Sequence, residues 1–395
     1  MVVNVGSCLC SHGMSPAVGL RPEKERCPVM TKRPSRRTFL HAAGASLALG
    51  ACAGSAQLRQ NATSPGAGAP EPPEGPSSGA PEEEDVALPA GGVMPTRTLG
   101  RTGVKVSLLG LGGYHMAVPK GEQESIRLVR FAIDHGVTFL DNCWDYHDGR
   151  SEERMGKALQ DGYRGKVFLM TKLDGRTRAT AEAQLEQSLR RLRTDVIDLV
   201  QMHEIIRMGD PEQIYGPGGA MEALVAAKKA GKIRFIGFTG HKDPDIHLAM
   251  LKMAERQGVP LDTVQMPLNV LDPHYRSFEK AVLPVLTQQG IGVLGMKPFA
   301  GGEIAKAGVV SPITCLHYPM SLPTSVVITG CDSLGVLKQA LKAAYTFQPL
   351  GSERVSAILA RTAELGARGE HEQFKTTERF DGTTKNPHWL TTANL

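Results

Sequence analysis

Phe139-Leu140-Asp141-Asn142-Cys143-Trp144-Asp145-Tyr146 is the most informative stretch of this chain. A short apolar run, Val137-Thr138-Phe139-Leu140, ends in an acid, and a tyrosine follows five residues later. The next residues, Ser151-Glu152-Glu153-Arg154-Met155-Gly156-Lys157-Ala158-Leu159, predict a helix capped by Ser151. Two glutamates fill its first turn, where their charge suits the positive end of the helix dipole. The acid therefore closes a strand at its C-terminal end, and the tyrosine lies in the strand-to-helix loop. Open and closed α/β sheets both carry their chemistry there.

Two further polar residues follow the same rule. Val167-Phe168-Leu169-Met170-Thr171 predicts a buried strand that ends at Lys172. Val196-Ile197-Asp198-Leu199-Val200-Gln201-Met202 predicts another, ending at His203. An acid, a tyrosine, a lysine and a histidine thus come from the tops of three successive strands, which are neighbours in a parallel barrel. Each of these residues alone would read as a helix cap, a surface side chain or a structural histidine. Only the four together point to a site.

This pattern resembles the aldo-keto reductase family, whose catalytic tetrad is Asp, Tyr, Lys and His in this order and these settings. The family's motif of an apolar pair, Asp-Thr-Ala, two residues and Tyr appears here as Phe139-Leu140-Asp141-Asn142-Cys143-Trp144-Asp145-Tyr146. The resemblance extends to Leu99-Gly100-Arg101-Thr102-Gly103, Gly231-Lys232-Ile233-Arg234-Phe235-Ile236-Gly237 and Gly290-Ile291-Gly292-Val293-Leu294, in the family's order. It covers roughly residues 96–345 and implies a (β/α)8 TIM barrel.

The alternation along the chain agrees with that architecture. Residues 97–106 predict a hairpin, which in the family plugs the barrel bottom. Strands are expected at 106–112, 137–141, 167–172, 196–203, 233–237, 263–266, 292–296 and 325–329. Helices are expected at 122–135, 152–159, 179–192, 219–230, 244–256, 276–289, within 311–321 and at 334–344. Eight strands alternating with eight helices over about 250 residues is the arithmetic of an α/β barrel. No Gly-x-Gly-x-x-Gly dinucleotide fingerprint forms around Gly110, Gly112 and Gly113. Residues 346–395 are a C-terminal extension, helical over 352–366, either folded over the barrel mouth or packed on its outside.

The N-terminal quarter has a different character. Residues 1–29 show no periodicity, and Met30 is a candidate start. Residues 30–52 resemble a twin-arginine export signal: Arg36-Arg37 precede Phe39-Leu40 and a small apolar run closing on Leu49-Gly50-Ala51-Cys52. The last four residues resemble a lipoprotein box, with Cys52 as the lipidated residue and the only link to a membrane. Residues 53–95, rich in Ala, Gly, Pro, Ser and Glu, lack the apolar side chains needed to fold and predict a flexible linker. An ordinary cytoplasmic reductase with a basic N-terminus is the alternative. The net charge of +5 on 395 residues is too mild to argue for a nucleic-acid partner.

The reaction implied by the resemblance is reversible reduction of a small carbonyl substrate, with NADP or NAD as the nucleotide. Tyr146 is the expected proton donor and Lys172 the cation that would lower its pKa. Bringing a tyrosine from about 10 to neutrality needs about 4 kcal/mol, which one cation about 4 Å away supplies at an effective dielectric near 20. Asp141 would pair with Lys172, and His203 would hydrogen-bond the substrate oxygen. Tyr114 and Trp144 are candidates to line the substrate pocket. The nucleotide is expected to meet Gly113 and Gln265, then Met296, Lys297 and Phe299 after strand 7. At its adenosine end the expected contacts are Gly330, Asp332, Ser333 and Gln339.

Several positions depart from the wider family. Thr239-Gly240-His241 replaces the Ser-Asn that binds the nicotinamide amide, and Met296-Lys297-Pro298-Phe299 replaces a stacking tyrosine. The acid Asp332 stands where NADP-preferring members carry Lys or Arg, which leaves NADP and NAD both open. The Met-Lys-Pro variant recurs in a bacterial branch, some of whose members carry an iron–sulfur module. No closely spaced cysteine set exists here, so no iron–sulfur cluster is expected. Cys143, Cys315 and Cys331 sit on separate elements, so neither a disulfide nor a metal site is predicted.

Overall fold

A computed structural model describes residues 86–392. The expected export signal, its Cys52 and the linker as far as residue 85 lie outside the described residues.

Ten strands form. β1 (Thr96–Thr98) and β2 (Lys105–Ser107) pair antiparallel as the hairpin. The other eight are β3 (Leu109–Gly112), β4 (Phe139–Asp141), β5 (Phe168–Leu173), β6 (Ile197–Met202), β7 (Ile233–Thr239), β8 (Thr263–Pro267), β9 (Gly292–Met296) and β10 (Val326–Gly330). They pair in parallel, each with the next, and β10 returns to β3 to close the barrel. The expected first strand at 106–112 is in fact divided. Ser107 ends the hairpin, exchanging bonds with Thr138 and giving its hydroxyl to the Leu109 carbonyl at 2.6 Å. Side-chain bonding to local backbone breaks the ladder there.

The outer layer comprises α1 (Glu122–Asp134), α2 (Arg150–Ala158), α3 (Arg178–Leu192), α4 (Asp210–Tyr215), α5 (Ala220–Lys229), α6 (Pro244–Arg256), α7 (Phe278–Ala281) and α8 (Leu283–Gln289). It is completed by α9 (Glu303–Ala307), α10 (Pro312–Ser321) and α11 (Leu334–Tyr345). The helix expected at 276–289 is two pieces, α7 and α8. Pro284 has no N–H to continue the first helix and instead sits in the first turn of the second. Ser151 does not cap α2. The cap is Gly149 in the left-handed conformation, and Ser151 lies inside the helix, donating to the Gly113 carbonyl at 2.5 Å.

Two apolar layers follow from the strand period of two. Phe139, Phe168, Met170, Leu199, Leu294, Val326 and Ile328 fill the barrel interior, closed from below by the hairpin's Leu99 and Val106. Leu140, Leu169, Val200, Val293 and Val327 point the other way and pack under the helices. A third cluster joins Val270, Leu271, Ala300 and Tyr318 to Ile358 and Phe374 of the C-terminal extension. That extension forms α12 (Ser352–Gly366), α13 (Gln373–Thr376), α14 (Gly382–Lys385) and α15 (His388–Thr391).

Candidate active site

The same period of two selects the polar side chains at the barrel top. Asp141 is two residues beyond the inward-facing Phe139. Lys172 is two beyond Met170, His203 four beyond Leu199, and Met296 two beyond Leu294. Each is therefore the continuation of an interior row past the point where apolar packing ends.

Asp141 and Lys172 form a buried ion pair. The Lys172 ammonium also donates to the Asn142 carbonyl at 2.7 Å and to the Tyr146 hydroxyl at 3.2 Å. The second Asp141 oxygen accepts from Gln265 Nε2 at 3.0 Å. Gln265 is fully buried and its Oε1 has no hydrogen-bond partner. Such a bare acceptor fits a carboxamide N–H, so the residues present suit a nicotinamide.

Tyr146 stands at the start of a tight reversal. His147 and Asp148 both have positive φ (51° and 57°) and lead to Gly149 at 88°. Strain of this kind tends to collect where a side chain must be aimed. Tyr114, at 43% exposure, meets the Tyr146 ring edge-on at 5.4 Å between centroids. Trp144 is buried instead. Its indole N–H goes to Gln187 and its ring meets the edge of Trp389. Burial, followed by the charges of Asp141, Cys143 and Asp145, raises the Tyr146 phenol well above its ordinary value. This direction is opposite to the one expected from Lys172 alone. Lys172 is already balanced by Asp141, and further negative groups surround the ring.

His203 sits among residues the sequence reading did not select. Its Nδ1 lies 2.9 Å from Asp174 Oδ1, 3.2 Å from Cys143 Sγ and 3.7 Å from Asp145 Oδ1. Burial, then the charge of Asp174, pushes the Asp145 carboxyl up to about 7; burial, then the charge of Glu204, pushes Asp174 up to about 8. Burial likewise raises the Cys143 thiol and lowers His203. Buried Arg176 holds this group from behind, donating to the carbonyls of Asp174, His203 and Glu204 and pairing with Asp210. The only advance signal was that Asp174 and Arg176 follow directly on the Lys172 strand.

The C-terminal extension reaches the same end of the barrel. Glu204, next to His203, accepts from the Gly382 and Thr383 amides at 2.9 and 2.7 Å. His241 bonds Asp381 at 3.1 Å, and Lys242 pairs with the same carboxylate at 2.7 Å. The Lys297 ammonium stands 5.4 and 4.8 Å from the ring centroids of Phe374 and Phe380, with no ion pair among the described residues. Burial pushes its pKa down to about 8. Of the two placements expected for residues 346–395, these contacts are those of a segment at the mouth.

The remaining expected nucleotide positions fall on one arc of the mouth. Gly113 follows β3, and a Cβ there would meet the Asp141 carbonyl at 2.4 Å. Met296 ends β9 and Phe299 follows it. Gly330 ends β10, Asp332 is exposed, Ser333 caps α11 through the Val336 amide, and Gln339 lies one turn into that helix.

The sequence profile of the aldo/keto reductase family matches residues 108–314. L-galactose dehydrogenase of Arabidopsis thaliana is 30% identical over 282 residues, 67% of this chain and 82% of that protein. The uncharacterized oxidoreductase YrpG and the aldo-keto reductase YhdN, both of Bacillus subtilis (strain 168), are 32% and 33% identical over 52% and 51% of this chain. The chain spans 66% and 61% of the length of these two relatives. Among solved structures, the holo form of aldo-keto reductase AKR11C1 from Bacillus halodurans superposes with a TM-score of 0.59 at 23% identity. The match covers 71% of this chain and all of that one, and shows a shared fold. A closed eight-stranded parallel barrel with this sequence profile defines the class, and the chain belongs to the aldo/keto reductase family.

Proposed function

We propose that this protein reduces an aldehyde or ketone to the alcohol with NADPH or NADH, using Tyr146 as proton donor. The observation that carries the reading is the Lys172 ammonium, bonded at once to the Asp141 carboxylate and the Tyr146 hydroxyl. The nucleotide, when bound, supplies the hydride. The residues of the chain do the rest. Lys172 stabilises the phenolate left when Tyr146 gives up its proton to the forming alkoxide. Asp141 keeps Lys172 charged and in place, and His203 hydrogen-bonds the substrate oxygen. Gln265, through its bare Oε1, would hold the carboxamide, and the Lys297 ammonium would hold the pyrophosphate. Asp332 stands against a 2′-phosphate, which favours a free ribose hydroxyl there.

Titration of the full chain with NADPH and with NADH, followed by turnover on a panel of aldehydes, tests this reading. Binding with turnover that disappears in Tyr146→Phe supports it. Binding with no turnover on any carbonyl points to a nucleotide-binding module instead. Absence of binding by both nucleotides overturns both readings. Residues 30–52 support export and lipidation at Cys52, and an acylated Cys52 peptide in the membrane fraction is the corresponding observation. Recovery of unmodified chain in the cytosol alone would remove that part of the proposal.

A further inference from the structure

His203 Nδ1 has more neighbours than it can satisfy. It can give one proton, yet Asp174 Oδ1, Cys143 Sγ and Asp145 Oδ1 all lie within 3.7 Å of it. Two carboxylate oxygens in the same place, Asp145 Oδ1 and Asp174 Oδ2, are buried without any hydrogen bond. Asp174 is fully buried, so water cannot serve it from bulk. Buried polar atoms left bare in this way call for a partner. The nearby cations are already committed, Lys172 to Asp141 and Arg176 to Asp210.

We propose that Cys143, Asp145, Asp174 and His203 form a binding site for one divalent ion of the zinc class. One potential ligand atom from each lies within 4.8 Å of all the others. Bonds of about 2.0–2.3 Å to a tetrahedral ion would space these atoms about 3.3–3.8 Å apart. The widest separation, up to 4.8 Å, has to close by about 1–1.5 Å, within reach of side-chain rotation. A sulfur, an imidazole nitrogen and two carboxylates select zinc or cobalt over magnesium or calcium, which take oxygen ligands. The ligands come from the ends of β5 and β6 and the loop after β4, so the barrel presets their positions. Arg176 adds support without using a ligand atom, because it holds Asp174 and His203 through their backbone carbonyls. An ion on Nδ1 would fix the imidazole and leave its Nε2 for other partners. The site shares His203 with the proposed carbonyl reduction, but its bare acceptors, Asp145 Oδ1 and Asp174 Oδ2, have no part in that reaction.

The test uses the full chain, stripped with a chelator and titrated with Co²⁺. One equivalent should bind and produce a thiolate-to-cobalt charge-transfer band with the visible bands of a tetrahedral ion, and Zn²⁺ should displace it. Cys143→Ala should abolish the charge-transfer band. Asp174→Asn should weaken binding at least tenfold, and circular dichroism confirms that each variant is folded. Asp145→Asn replaces either variant that is not. No saturable uptake, or a spectrum unchanged by Cys143→Ala, overturns the proposal. Carbonyl turnover by the stripped protein is read separately, so loss of one result leaves the other standing.

Discussion

Lys172 Nζ donates to the Tyr146 hydroxyl at 3.2 Å while the Asp141 carboxylate holds the same ammonium from below. The three side chains come from β4, the loop after it and β5. Their meeting is a direct consequence of parallel neighbours ending in one plane. Removing the hydroxyl alone by Tyr146→Phe should lower turnover by about 10²- to 10⁴-fold, the usual worth of a placed general acid. Nucleotide affinity should change little. Parallel turnover and fluorescence titrations check the pair of outcomes.

The Asp141–Lys172 pair is almost fully buried, at 5% and 1% side-chain exposure. Lys172→Met should therefore destabilise the fold by about 3–5 kcal/mol, because Asp141 is left as an uncompensated buried charge. The double variant Asp141→Asn/Lys172→Met should be less destabilised than Lys172→Met alone. Urea unfolding of both variants measures the difference.

The raised Tyr146 phenol gives the two directions different pH profiles. Reduction needs the proton on the oxygen and should stay level through neutral and mildly alkaline pH. Alcohol oxidation needs the phenolate and should rise steadily as pH rises. Initial rates in both directions across one pH series decide this. A reduction rate that falls already at neutral pH would count against Tyr146 as donor.

Lys297 has its pKa lowered to about 8 by burial. The folded chain releases this proton near pH 8, the unfolded chain only near about 10.4, so folding stability contributed by this group rises between those values. Nucleotide binding runs the other way, because the pyrophosphate needs the charged form. Affinity should be level below about pH 8 and fall by up to about tenfold per pH unit above it. In Lys297→Met binding should be weaker at neutral pH and lose that dependence.

Glu204 couples the His203 strand to the C-terminal extension through two backbone amides. Glu204→Gln can accept with only one oxygen and turns an N–H donor toward the other amide. A loss of about 1.5–3 kcal/mol is expected, as for hydrogen bonds to a charged group. Limited proteolysis should then cut faster within residues 377–392, with the barrel still resistant.

Much of this site was legible because strand periodicity does two things at once. It buries Phe139, Met170 and Leu199, and it sends Asp141, Lys172 and His203 up the same rows. Tyr146 was legible from its place in the strand-to-helix loop, and Gln265 through the family resemblance. Asp174, Arg176 and Glu204 were not, since their roles depend on partners distant in sequence, such as His203 for Asp174 and Thr383 for Glu204. The gathering of Cys143 with Asp145, Asp174 and His203 was invisible to cysteine spacing because it mixes ligand types from three strand ends. Local departures had local causes: Pro284 divided α7 from α8, and Ser107 divided the strand expected at 106–112.

The most direct test follows the hydride itself. The full chain is given nucleotide deuterated at C4 of the nicotinamide and an aldehyde that the wild type turns over. Deuterium transferred to the carbonyl carbon of the alcohol by the wild type, and not by Tyr146→Phe under the same conditions, is the predicted result. Alcohol formed without the label, or labelled equally by the variant, would contradict a hydride transfer completed by the Tyr146 proton.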